Sequence, residues 1–305
     1  MRIGIIDLGS NTIRLVIYHW NGSKLELITN IKRKAQSAKY IEDGFMCKVG
    51  IEVIVDHLKE LLMIARTKDV LDVHIFATAS IRNIQNSESV KMQIENEIQH
   101  KIDLLDASQE SLYGFEGLKR TLSLPLEGVS VDVGGGSTEI THFKSDKAIH
   151  SISIPMGSLN MYINHVQDVL PSHSELMLMR IEIQNMLNQV YWLENIKVNE
   201  MFGIGGSARA IMRLHQAKYD IQNSIYDMHM SNDIFESYLE EASNNPKVLA
   251  ELIINTVPER LTTLIPGALI LFEIMKKVGA QSYGLSSYGV REGYFYQKVL
   301  DTTKA

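Results

Sequence analysis

The stretch VDVGGGSTEI, Val131 to Ile140, sets three glycines and two hydroxyl residues between two carboxylates, inside a run that otherwise suits a β-strand. It is the second copy of a pattern. IIDLGSNTIRLVIY (Ile5 to Tyr18) lies on SVDVGGGSTEITHF (Ser130 to Phe143) without a gap, so that Asp7 falls on Asp132, Gly9 on Gly134 and Thr12 on Ser137. Each copy reads as apolar strand, aspartate, glycine-bearing turn, hydroxyl residue and second strand. Alternation such as Arg2-Ile3-Gly4-Ile5 and Ile13-Arg14-Leu15-Val16 supports strands on both sides of the turn.

A glycine turn that opens a helix holds phosphate with helix-end amides, as in P-loops and dinucleotide fingerprints. Here the turn joins two β-branched stretches, and no GxxxxGK[ST] or GxGxxG occurs in the chain. A hairpin is expected, whose main-chain N–H groups can still form an anion-binding concavity. One such turn is no more than a turn; two copies with an aspartate at the same place argue for a site. A third glycine turn, GIGGSARAI (Gly203 to Ile211), follows the short strand EMF and enters a helix, with Ser207 as the expected N-cap.

The 305 residues allow two domains, and 45% hydrophobic with 22% charged residues is ordinary for a soluble globular protein. Cys47 is the single cysteine, which excludes an internal disulfide and points to the cytoplasm. No signal peptide is read in the first twenty residues. The longest apolar run, around Leu264 to Met275, is too short to span a bilayer. With a net charge of −6, a polyanionic ligand requires positive charge gathered in one place. No HExxH or Cys/His pattern calls for zinc.

Strands are expected near 2–8, 13–20, 24–31, 72–77, 101–105, 129–133, 138–144 and 149–154. Helices are expected over 51–66, 89–100, 108–121, 174–195, 207–217, 231–243, 246–256, 267–278 and 290–300. LPLEG, Leu124 to Gly128, is the best linker, with proline and glycine as punctuation. The pattern implies two α/β domains facing each other across a cleft.

DLGSNTIRLVIY, DVGGGSTE, GIGGSARAI and SSYGVREG together resemble the exopolyphosphatase and guanosine pentaphosphate phosphatase (Ppx/GppA) family, as do ATASIRN (Ala77 to Asn83) and IPMGSLNMY (Ile154 to Tyr162). The resemblance covers nearly the whole chain and implies an α/β fold of two ribonuclease H-like (actin/Hsp70/sugar-kinase-like) domains around a cleft. The implied domains are 1–123 and 124–290, with residues 291–305 a terminal helix packing back on the first. The chain resembles a short form without additional C-terminal helical domains.

By the same resemblance, Glu110 activates the attacking water, and Asp132 and Glu139 hold Mg²⁺ or another divalent cation. Ser10, Asn11, Thr12, Arg14, Arg82, Gly134, Gly135, Gly136, Ser137, Thr138 and Arg291 bind phosphate. These residue types suit phosphoanhydride hydrolysis, which needs in-line water and neutralised oxygens and little covalent help. Read without the resemblance, Glu110 is an acid near a helix N-terminus, favourable for dipole reasons alone.

Two departures remove positive charge: Asn160 and Tyr40 stand where the family pattern has arginines, and Gln109 replaces a neighbouring acid. The expected partner is polyphosphate or guanosine pentaphosphate. Neither nucleic acid nor a membrane is expected, and a homodimer is left open. The leading expectation is an exopolyphosphatase. The alternatives are a guanosine pentaphosphate 5′-phosphohydrolase, a non-catalytic polyphosphate- or nucleotide-binding protein, and an actin-like ATPase.

Overall fold

The computed structural model describes residues 1–300. The chain divides into two compact units, one of residues 1–110 and one beginning at Ser111.

The first unit is built on β1 (Arg2–Leu8), β2 (Thr12–Trp20) and β3 (Leu25–Lys34). A small hairpin, β4 (Ile41–Glu42) and β5 (Phe45–Met46), leads into α1 (Lys48–Thr67). β6 (Val73–Ala77), the single-turn α2 (Ala79–Arg82), α3 (Ser87–Ile98) and β7 (Ile102–Leu104) follow, and α4 (Ala107–Lys119) crosses into the second unit. The sheet order is β3-β2-β1-β6-β7. β1 to β3 form an antiparallel meander, and β6 and β7 join parallel to β1. α1 buries Ile54, Leu58, Leu61 and Ala65 at helical spacing against Ile6, Leu8, Ile13 and Leu15 of the sheet.

The second unit repeats this plan. β8 (Glu127–Val133), β9 (Thr138–Lys144) and β10 (Lys147–Ile154) form the meander. α5 (Ser158–His165), α6 (His173–Asn188), β11 (Glu200–Ile204) and α7 (Gly205–Lys218) come next. α8 (Asn232–Asn244), α9 (Pro246–Thr256), α10 (Leu264–Val278), β12 (Ser282–Leu285) and α11 (Val290–Tyr294) complete it. The sheet order is β10-β9-β8-β11-β12, again with β11 and β12 parallel to β8. Two sheets with one strand order and one pattern of directions are the ribonuclease H-like topology used twice. The repeat read in the sequence is a repeat of structure.

Several elements differ from expectation. The helix expected over 174–195 ends at Asn188, and residues 191–195 form a 3-10 turn that buries Trp192 and Leu193. The terminal helix is one α-turn, Val290–Tyr294, continued by a π-turn over Phe295–Val299. It packs on α4 and on Arg120 just beyond it: the Gly293 Cα abuts the Tyr113 carbonyl, the Tyr113 and Tyr294 rings meet edge to face, and the Arg120 guanidinium sits 3.8 Å over the Tyr296 ring. Residues 301–305 of that expected helix lie outside the described residues. α5 and β12 were not expected; eight and four residues with internal or flanking glycine carry little periodic signal. Among the described residues, no helix is long and apolar enough to cross a membrane.

One buried titratable group sits in the second unit's core. His215 of α7 has its Nδ1 3.1 Å from the Tyr238 hydroxyl. Burial, and then the nearby Lys218 ammonium, hold its pKa below the usual histidine value, so the ring is neutral in the fold. Below about pH 6.5 the unfolded chain takes up a proton that the folded ring resists, and stability falls with a slope of up to about 1.4 kcal/mol per pH unit. Thermal unfolding of His215→Gln between pH 8 and 5 is expected to fall less steeply on the acid side than that of the parent. Parallel curves would remove His215 from the acid sensitivity.

Candidate active site

The two glycine bends have the same internal geometry. In the first, the Gly9 amide donates to the Thr12 carbonyl at 3.2 Å; in the second, the Gly134 amide donates to the Ser137 carbonyl at 2.9 Å. Both bends then have their remaining carbonyls drawn back by the segment that comes after the third strand. In the first unit, Ser37 Oγ donates to the Ser10 carbonyl at 3.1 Å and the Gln36 amide to the Asn11 carbonyl at 3.0 Å. In the second unit the start of α5 does this. The Ser158 amide and hydroxyl both donate to the Gly134 carbonyl, at 2.9 and 3.0 Å, and the Leu159 and Asn160 amides donate to the Gly135 carbonyl at 3.0 and 3.1 Å. Asn160 Nδ2 reaches the Gly136 carbonyl at 3.4 Å.

A peptide whose carbonyl is fixed on one side presents its N–H on the other. Among the described residues, the Gly135 and Gly136 amides donate to no protein acceptor. The bend thus holds two unsatisfied donors facing away from α5, as an anion site requires. A Cβ at Gly157 would stand 2.3 Å from the Gly135 carbonyl group, so glycine there lets the bend settle onto α5. The hydroxyls of Ser137 and Thr138 point elsewhere: Ser137 Oγ donates to Glu139 and Thr138 Oγ1 to the Met156 carbonyl. Hydroxyl contact with a ligand from these two residues would require breaking those bonds.

The carboxylates expected to hold a cation are cross-strand neighbours. Asp132 on β8 pairs directly with Glu139 on β9. Glu139 is buried, and its Oε1 accepts from Ser137 Oγ at 2.8 Å and Ser153 Oγ at 2.7 Å. Like charges directly opposed on a sheet repel, so a cation beside them is favourable. In the first unit the equivalent pair is Asp7 and Arg14, in register on β1 and β2. There an acid faces a base across the strands, and Arg14 is buried. The duplicated bend therefore sets an acid opposite a base in one copy and an acid opposite an acid in the other.

The donor set fits Mg²⁺, which binds through one or two carboxylates and completes its shell with water and phosphate oxygens. Among the described residues, no group of three or more His, Cys, Asp or Glu gathers as a metal cage.

In the first unit, the expected base Glu110 is buried in the first turn of α4 and accepts from Arg82 Nη1 at 2.6 Å. The same Nη1 donates to the Leu105 carbonyl at 3.1 Å. Arg82 is carried by α2, whose Ser80 hydroxyl donates to the Leu8 carbonyl at 2.7 Å, one residue before Gly9. Ser10, Asn11, Thr12, Arg82 and Glu110 thus belong to connected elements of one unit. Asn11 Oδ1 is buried with no protein partner among the described residues.

The second unit repeats this link, which was not expected. Ser207 Oγ donates to the Val133 carbonyl at 2.8 Å, one residue before Gly134. It does not cap α7, which begins two residues earlier at Gly205, with Ile204 as its N-cap. Ser80-Ile81-Arg82 and Ser207-Ala208-Arg209 are therefore structural equivalents, and Arg209 is a candidate that sequence reading missed. The shared Ser-x-Arg was the available signal. Arg260 was missed as well. Its guanidinium lies where a Cβ on Gly206 would be, and burial lowers its pKa while the Glu259 and Asp132 carboxylates oppose that shift. Tyr283, fully buried, lies against Gly203, and burial followed by the Asp132 charge drives its pKa up. Arg291 sits in α11 two residues after Gly289, which packs on Ile204, the residue before the Gly205 turn.

The Ppx/GppA phosphatase family model matches residues 16–302. The chain belongs to the Ppx/GppA phosphatase family. Exopolyphosphatase 1 of Mycobacterium tuberculosis is 20% identical over 304 residues, covering 98% of this chain and 88% of that relative. The guanosine-5′-triphosphate,3′-diphosphate pyrophosphatase of Aeromonas hydrophila subsp. hydrophila is 23% identical over 297 residues, and the match spans 95% of this chain but 58% of that relative. The crystal structure of an exopolyphosphatase from Cytophaga hutchinsonii superposes with a TM-score of 0.86 at 19% identity, over 99% of this chain and 98% of that one. At that identity the likeness establishes a shared Ppx/GppA fold. Membership in the Ppx/GppA family suggests dependence on a divalent cation in general.

Proposed function

We propose that the chain is a phosphoanhydride hydrolase of the exopolyphosphatase type, cytoplasmic and Mg²⁺-dependent, that removes the terminal phosphate of inorganic polyphosphate. The observation that carries the reading is the Gly134–Ser137 bend, with its carbonyls held by α5, its amides turned away, and the Asp132–Glu139 pair on the strands it joins. In this reading Gly135 and Gly136 donate main-chain N–H groups to phosphate oxygens, each charge-assisted bond about twice as strong as a neutral one. Gly134, Ser137 and Thr138 fix the bend's shape. Ser10, Asn11 and Thr12 form the corresponding bend of the first unit, braced by Arg14, and Arg82 and Arg291 supply positive charge. Asp132 and Glu139 hold the cation, which when bound neutralises phosphate oxygens and polarises the phosphoryl group. Glu110, oriented by Arg82, takes the proton of the attacking water.

A second reading, hydrolysis of guanosine pentaphosphate, is favoured by relatives such as the Aeromonas hydrophila protein, no less identical to this chain than the exopolyphosphatases. Phosphate release from both substrates, measured with and without Mg²⁺, separates them. Expected is Mg²⁺-dependent release from polyphosphate at the higher kcat/KM. Faster release from guanosine pentaphosphate would establish the second reading. Tight binding without turnover would mark a binding protein, and turnover of ATP alone an actin-like ATPase.

A further inference from the structure

The binding competence of a main-chain anion site depends on which way its peptides face. Nothing in a run of three glycines fixes that, because glycine populates positive and negative φ almost equally. At Gly134 to Gly136 the orientation is imposed from outside. Five donors from three consecutive residues of α5 reach the three glycine carbonyls: the Ser158 amide and hydroxyl, the Leu159 amide, and the Asn160 amide and side chain. Ser158 is fully buried, so its hydroxyl bond is shielded from water. In the first unit the buried Ser37 hydroxyl holds the Ser10 carbonyl, which corresponds to the Gly135 carbonyl held by the Leu159 and Asn160 amides in the second.

We propose that Ser158 and Asn160 are positioning residues that lock the glycine bend with its amides outward, and that Ser37 does the same for the first bend. The inference rests on the bend as the phosphate site. Asn160 then acts on phosphate affinity without touching phosphate: its side-chain amide neutralises the Gly136 carbonyl dipole, and its loss lets that peptide rotate and place a carbonyl oxygen among the donors. A helix N-terminus alone would supply only the main-chain bonds. The Ser158 and Asn160 side chains add the remainder.

The test uses Asn160→Ala, at a half-buried position, and Ser158→Ala, which removes one atom. Inorganic phosphate binding is measured by calorimetry and unfolding temperature by thermal scan; for polyphosphate, KM and kcat are measured separately. Loss of one such bond corresponds to about a tenfold weakening. Expected are a phosphate Kd and a substrate KM raised about 5–10-fold in each variant, a larger rise in the double variant, and an unfolding temperature within a few degrees of the parent. Phosphate Kd within twofold of the parent in both folded variants would overturn the proposal. The outcome is distinct from failure of the exopolyphosphatase reading: if the parent binds phosphate but hydrolyses nothing, the binding comparison still decides whether α5 sets the bend.

Discussion

Replacement of Glu110 by glutamine is expected to lower kcat for phosphate release by about 10²–10⁴-fold, the usual contribution of a positioned general base. Glutamine keeps the size of the side chain and an acceptor for Arg82, so the 2.6 Å contact can persist as a neutral–charged hydrogen bond. The fold should therefore survive, and KM should change little, because the lost function is proton acceptance in the transition state. The buried position gives this test its force. A carboxylate held beside a guanidinium in a largely desolvated site is costly to build unless it is used or fully paired. If the pair were only structural, Glu110→Gln would lower the unfolding temperature and leave turnover per folded molecule intact. Turnover within about threefold of the parent would remove Glu110 from the reaction. Arg82→Lys separates the two partners further. It retains charge but loses the planar guanidinium, whose Nη1 reaches Glu110 and the Leu105 carbonyl and whose Nε reaches Asn83 Oδ1, so kcat should drop.

The fold was legible because its deciding signal was local and repeated. An aspartate, a glycine bend and a second strand, matched at residue spacing between 7–14 and 132–139, require two similar meanders, and the two sheets have identical strand order. Helices with a long apolar stripe were equally legible, α1 above all. The short elements α5 and β12 were not, since they owe their form to what they pack against. The candidate site was legible where residues lie on the bends themselves. It was not legible where the function of a side chain depends on a distant carbonyl. Ser207 looked like a cap because serine before a helix usually is one, yet its hydroxyl serves Val133, and Ser80 serves Leu8 in the same way. Asn160 looked like a lost charge; in the structure its amide braces the glycine bend. Arg260 comes from the turn before α10, more than fifty residues from Gly206, and no spacing rule links them.

Gly205→Ala is expected to damage the fold and the metal site together. Gly205 has φ of +82°, a left-handed conformation that costs an L-residue about 1–2 kcal/mol. The added Cβ would also stand 2.2 Å from Asp132 Oδ1 and 3.0 Å from Oδ2. Something must move, and the strand carrying Asp132 is fixed by pairing on both sides, to β9 and to β11. The carboxylate therefore rotates away from the start of α7, whose N-terminal dipole favours a negative charge there. Two consequences are expected together: an unfolding temperature lowered by several degrees, and a Mg²⁺ requirement raised at least tenfold with kcat much reduced at saturating substrate. Gly206→Ala supplies the contrast. Its Cβ would meet Arg260 Nη2, the tip of a flexible side chain, and its φ lies outside the left-handed range. That variant should unfold near the parent temperature and keep the parent's Mg²⁺ requirement. Asp132→Asn tests the link between the two effects, since it should reproduce the metal defect without the conformational cost at residue 205. If Gly205→Ala destabilises the fold but leaves the Mg²⁺ dependence of the folded enzyme unchanged, then Asp132 does not hold the cation, and the crowding at Gly205 serves only the packing of α7 on the sheet.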